Sequence, residues 1–253
     1  MFYTSYESEA MKINKQRVVI TGGTSGIGYA LTKQLHSNND VIVIARNSSK
    51  LMALKRDFSG IITYTADLSV AGDIEAVADA IVKQFDSIDI LINNAAVQYT
   101  PSFLDDDFRY ETIAYQVALN FTGVCALTYL LLPALLHQKK ALIVNVNSGL
   151  GLAPKTSSAI YCATKGALNT FSRSLGYQLE TTNVAVQQVF LELVDTVMTS
   201  GRGNNKMSAD AAASNIIYGI QQDISEHDIG KVKLLRLLLR LAPSIAQRIM
   251  KKY

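Results

Sequence analysis

The sequence contains no tryptophan and, across 253 residues, only two cysteines, three histidines and four prolines. Two thiols, Cys125 and Cys162, are too few for a disulfide scaffold or a zinc cluster. His36, His137 and His227 have no partners at ligand spacing, so no metal is expected and all three read as surface residues. A reducing compartment, the cytoplasm, fits this cysteine usage. Charge is scarce too: 18% of residues are charged, below the roughly 25% of typical soluble domains. Lys and Arg exceed Asp and Glu by 24 to 21, a net +3 that is too weak to argue for a nucleic-acid partner. The N-terminus carries Glu7 and Glu9 and lacks the apolar core of a secretory signal, and Met11 is a second candidate start. From Thr112 to Gln138 there is no Asp, Glu, Lys or Arg, a run long enough to cross a bilayer. Gln116, Asn120, Gly123 and Pro133 interrupt it, which favours a buried or interface helix over a membrane span.

The chain is rich in apolar residues, at 49%, and a domain of this length buries roughly 70–75% of its extended surface without staples. Runs of β-branched residues recur at Arg17–Thr21, Val41–Ala45, Ile61–Thr65, Ile88–Ile92, Ala141–Val146 and Val184–Val189. Continuous rather than alternating runs predict strands buried on both faces. Between them lie helical patterns at Gly28–His36, Ser49–Phe58, Ala71–Phe85, Tyr110–Gln138 and Tyr161–Glu180. This alternation predicts an α/β fold with one doubly wound parallel sheet and helices on both faces. The expected organisation is a short extension over 1–13, one domain over 14–230 and a separate tail over 231–253.

The first strand runs into Thr21-Gly22-Gly23-Thr24-Ser25-Gly26-Ile27-Gly28, with a helix directly after it. A glycine turn there puts unpaired N–H groups and the positive helix end against a pyrophosphate, with Gly22, Gly26 and Gly28 leaving room for it. The spacing is G-x3-G-x-G, which differs from the G-x-G-x-x-G of other dinucleotide sites. After the second strand comes Arg46, where an NAD enzyme places an acid for the ribose hydroxyl. A guanidinium suits a 2′-phosphate, so NADP(H) is expected, with NAD(H) the alternative.

Tyr161 and Lys165 stand four apart at the opening of a long helix and therefore share a face. Ser148 lies thirteen residues before Tyr161, at the carboxyl end of a strand, where open parallel sheets bind ligands. Bringing a phenol pKa from about 10 toward 7 takes roughly 4 kcal/mol, for which a lysine ammonium is one source. Together with Asp67-Leu68, Asn93-Asn94-Ala95 and Asn120, these motifs resemble the short-chain dehydrogenase/reductase family of Rossmann-fold oxidoreductases over nearly the whole chain. The resemblance implies that Tyr161 is the general acid or base and that Ser148 polarises the substrate oxygen. It implies that Lys165 lowers the tyrosine pKa and binds the nicotinamide ribose, while Asn120 holds a relay water. Cofactor contacts would come from Gly22, Thr24, Ser25, Gly26, Ile27, Gly28, Arg46, Asp67, Leu68, Asn93, Ala95, Tyr161, Lys165 and Thr196. The partners it implies are a small carbonyl or alcohol substrate and a sister subunit, in a homodimer or homotetramer. Asn94 reads as structural, and Asp67 has a helix N-cap as its alternative role.

The chain departs from the family where Leu191-Glu192 replaces Pro-Gly, although Thr196 is retained. Bulk and a charge beside the reacting ring are expected there, which leaves a catalytically weak nucleotide sensor as an alternative. Ala96 and Asn147 are further departures. The stretch Thr199–Met207 reads as a mobile lid. The tail from Lys231 is cationic and leucine-rich. Packing of its leucine face on the domain or a sister subunit is expected, with a membrane-associated reductase of lipid-like carbonyls as the alternative.

Overall fold

The computed structural model describes residues 13–252, so the expected extension lies outside the described residues save for Ile13. In chain order the elements are β1 (Arg17–Thr21), α1 (Gly26–Leu35), β2 (Asp40–Ala45), α2 (Ser48–Asp57), β3 (Ile62–Thr65), α3 (Ala71–Gln84) and β4 (Ile90–Asn93). Next come α4 (Glu111–Val117), α5 (Gly123–Leu136), β5 (Ala141–Ser148), α6 (Ala159–Leu179), β6 (Val184–Leu191), β7 (Val194–Asp195) and β8 (Met207–Ser208). The chain closes with α7 (Ala209–Gln221), β9 (Glu226–Asp228), α8 (Val232–Leu241) and α9 (Pro243–Lys252).

Seven parallel strands pair in the order β3-β2-β1-β4-β5-β6-β9. Successive side chains point to opposite faces, so each central strand feeds two cores. Val18, Ile20, Val43 and Ile92 pack with Leu31 of α1 and Ile216 of α7. Val19, Ile42, Leu91 and Ile143 pack on the other face with Ile81 of α3 and Leu131 of α5. Burial on both faces is why these strands read as unbroken apolar runs.

The uncharged stretch is long and apolar enough to cross a membrane by length and composition, yet Leu127, Leu131 and Leu135 are fully buried in the second core. It is also not one α-helix, because a π-helical turn over Ala118–Thr122 separates α4 from α5. Two sequence expectations need correction at the far edge. The strand β9 went unread because its three residues, Glu226-His227-Asp228, are all polar. His227 is buried at 7% exposure against Gly219 and is no surface residue.

The tail folds into a helical hairpin held by specific contacts. Arg236 pairs with Asp228 and Glu226 on β9 and stacks over Phe190 at 4.8 Å. Thr156 Oγ1 donates to Lys251 O at 2.6 Å. Val232, Ala246 and Met250 are buried, whereas Leu234, Leu237 and Leu241 are exposed, so only part of the leucine face packs on the domain.

Candidate active site

Strand order reverses between β1 and β4, and ligands of open parallel sheets bind outside the carboxyl ends at that point. Here a cleft of about 600 Å³ opens, lined by the ends of β1, β2, β4, β5 and β6. Gly22 (φ +70°) and Gly26 (φ +52°) take left-handed backbone that favours glycine. A Cβ on Gly28 would lie 2.2 Å from the Gly22 carbonyl, so Gly28 permits α1 to approach the turn from behind the cleft wall. Ser25 makes no side-chain cap on α1, which leaves the first helical N–H groups as donors for an anion. Thr21 Oγ1 accepts from Asn94 N and Ala95 N, both at 2.9 Å, and Asn94 Nδ2 donates to Thr21 O, also at 2.9 Å. Asn94 thus ties β4 to the glycine turn, the structural role read from the sequence.

Thr24, Ser25, Ile27, Arg46, Asp67, Leu68, Ala95 and Thr196 all line this cleft. Asn93 does not: it is buried between β4, β5 and α5, donating to Asn145 Oδ1 at 2.9 Å and Thr128 Oγ1 at 3.2 Å. Its assignment to the cofactor is corrected to a structural one. Asp67 is no helix cap, since Val70 holds that position; its carboxylate accepts from Ser69 N and Oγ instead. Arg46 hydrogen-bonds to the Tyr115 hydroxyl and lies 6.0 Å from that ring's centroid. Lys50, missed in the sequence, lines the same end. It sits in the first turn of α2, where the helix dipole disfavours a cation, and that misplacement was the available signal.

At the other end Ser148, Tyr161 and Lys165 meet. Burial pushes the Tyr161 phenol up to about 12, opposed in part by a hydrogen bond with Ser148 and by the Arg202 charge. Burial pulls Lys165 down to about 8. Its Nζ donates to Val146 O at 2.8 Å and lies 5.8 Å from the Tyr161 ring centroid. Burial is thus the largest influence on both groups in the protein alone. Asn120, in the π-turn, accepts from Val97 N at 2.9 Å and donates to Val97 O at 2.8 Å and Thr164 Oγ1 at 3.3 Å. Its side chain clamps the loop after β4 to α6 and does not line the cleft. π-turns recur at functional sites because they re-aim such a side chain.

Three residues gain specific partners in the structure. Asn147 accepts from Ser148 N at 2.8 Å and donates to Gln188 Oε1 at 3.1 Å, fixing the backbone of Ser148 across two strands. Glu192 turns toward the tail: it accepts from Lys231 N at 3.3 Å, and a Cβ on Gly230 (φ +62°) would lie 2.2 Å from its Oε1. Arg202, in the expected lid, donates to Gln98 Oε1 at 2.8 Å and to Met198 O, while Gln98 donates to Ser158 Oγ at 3.1 Å. The loop is thereby tethered to the N-cap of α6.

The sequence pattern of short chain dehydrogenases matches residues 16–207. The chain belongs to that family. Among its relatives is the uncharacterized oxidoreductase DltE of Bacillus subtilis (strain 168), 34% identical over 201 residues, covering 79% of this chain and 77% of that protein. A short chain dehydrogenase of Burkholderia cenocepacia J2315 in complex with NADP superposes with a TM-score of 0.85 at 20% identity, over 95% of this chain and 99% of that one. A family member from Burkholderia phymatum in complex with NAD gives a TM-score of 0.79 at 21% identity, over 91% and 96%. At those identities the likeness is one of fold. As a member of this family the chain is an oxidoreductase that works with a nicotinamide cofactor. The glycine turn, with Gly22 and Gly26 in left-handed backbone on the cleft wall and the first N–H groups of α1 left uncapped by Ser25, fits such a group.

Proposed function

We propose that the protein is an NADP(H)-dependent oxidoreductase that interconverts a carbonyl and an alcohol, with Tyr161 moving the proton. The observation that carries this reading is the joining of Tyr161, Ser148 and Lys165 in one cleft with the glycine turn. Arg46 and Lys50 at its other end support the phosphorylated cofactor, since a ribose hydroxyl would gain little from two cations. The nicotinamide, when bound, supplies the hydride. In reduction the Tyr161 O–H gives its proton to the substrate oxygen, and the Ser148 hydroxyl donates a hydrogen bond to the same oxygen. The Lys165 ammonium, bonded to Val146 O and 5.8 Å from the Tyr161 ring centroid, would stabilise the phenolate that results. A phenol kept protonated near pH 7 suits carbonyl reduction.

Glu192 lines the cleft and accepts from Lys231 N, so its carboxylate is tied to the start of the tail. The reading includes a homo-oligomer built on α5 and α6, where Tyr129 and Tyr177 are 75% and 76% exposed. Two free thiols are consistent with a cytoplasmic setting. The test is Tyr161→Phe, assayed by NADPH consumption across a panel of carbonyls. Turnover should fall by about 10²–10⁴-fold while NADPH affinity holds. Activity within a few-fold of the wild type would contradict the assigned role.

A further inference from the structure

We propose that the hairpin of α8 and α9 docks the protein on the surface of an anionic lipid bilayer. Residues 231–253 contain seven Lys or Arg and no Asp or Glu, while the other 230 residues carry 17 Lys or Arg against 21 Asp or Glu. Only Arg236 of these seven forms a salt bridge among the described residues, and that pair anchors α8 to β9. On α8, Leu234, Leu237 and Leu241 recur at three- and four-residue spacing and so share one face. They are 57%, 52% and 71% exposed. That face lies opposite the side on which Val232 is buried and Arg236 is anchored. On α9, Ile245 and Ile249 repeat the pattern at 52% and 49% exposure.

An outward apolar stripe flanked by unneutralised cations is the arrangement of a helix lying in a membrane interface. Lys233 and Arg240 flank it on α8, and Arg248 and Lys252 on α9, all exposed. A second copy of the chain is a poor occupant, because pairing two such faces would oppose like charges. Leu234 and Ile249 also line the cleft, so the apolar surface continues from the docking face into the site.

The experiment is flotation of the full chain with vesicles of phosphatidylcholine alone or of equimolar phosphatidylcholine and phosphatidylglycerol. The protein should float with the anionic vesicles and weaken as salt rises. Recovery with neutral vesicles should be about tenfold lower or less, because each cation at an anionic surface adds about fivefold. Leu237→Glu with Leu241→Glu should lose the association with unchanged far-UV circular dichroism. Leu104→Glu, at a position 95% exposed on another part of the surface, should retain it. Equal recovery with and without vesicles overturns the proposal, as does vesicle binding indifferent to the double variant. An oligomer that dissociates in the double variant, with no vesicle binding by the wild type, would assign the face to self-association instead. The readout is lipid association alone, so its failure leaves the oxidoreductase reading untouched.

Discussion

Lys165 is 4% exposed and its ammonium has one hydrogen-bond partner among the described residues, the Val146 carbonyl. Burial lowers its pKa from 10.5 to about 8. The unfolded chain therefore binds more protons between those values, and folding stability rises with pH across that window. Below about pH 8 the full penalty is present. Lys165→Met should accordingly stabilise the cofactor-free protein at pH 7, by on the order of 2 kcal/mol after the lost hydrogen bond is offset. The gain should shrink as the pH rises from about 8 and approach zero only above 10.5, where the wild-type lysine becomes neutral in both states. Denaturant melts at the two pH values check this, and a variant less stable than wild type at pH 7 would contradict it. The same residue illustrates what a sequence conceals. The i, i+4 spacing placed Lys165 beside Tyr161, but not the depth of burial that governs both titrations. Asn147 was opaque for a related reason: its partners, Ser148 N and Gln188, are defined by strand register. Asn93 was misassigned because a buried amide and a cleft amide one position away look alike in sequence, whereas period-two alternation sends them to different surroundings.

Strands buried on both faces were legible, because sheet burial demands short unbroken apolar runs rich in β-branched residues, recurring between longer helical patterns. Elements built on polar or mixed residues were not. The strand β9 is set by pairing with Gln188, Val189 and Phe190 rather than by its own propensity, and α7 presents its apolar residues amid small ones. The Leu191-Glu192 pair was legible as a departure, although its purpose was hidden in contacts some forty residues downstream. Glu192 holds the backbone where α8 begins, and Gly230 is the one residue type that fits against it. Replacing Glu192 with Ala should therefore loosen the hairpin while the sheet stays intact. Limited trypsin digestion should cleave after Lys231 or Lys233 at least several-fold faster in that variant. Unchanged cleavage would mean that the Arg236 pairs and the Thr156 contact suffice to hold it.

At the scale of the whole molecule, the reversal of strand order between β1 and β4 brings distant segments to one cleft. The glycine turn, Arg46, Ser148, Tyr161 and Thr196 span most of the chain and share one surface only because every β-strand of the main sheet runs the same way. The tail then adds Leu235, Leu238 and Met250 to the lining of that cleft. The central claim is that this cleft holds NADP(H) between two cations at one end and the Tyr161 proton at the other. The most direct test is a titration of NADPH and of NADH into the purified chain, followed by the reduced cofactor's fluorescence. The same titration of Arg46→Ala with Lys50→Ala separates the phosphate from the rest. NADPH should bind the wild type about tenfold or more tightly than NADH, as two charge-assisted contacts imply, and the double variant should lose that preference while still binding NADH. Equal affinity for the two cofactors in the wild type, or no binding of either, would contradict the account.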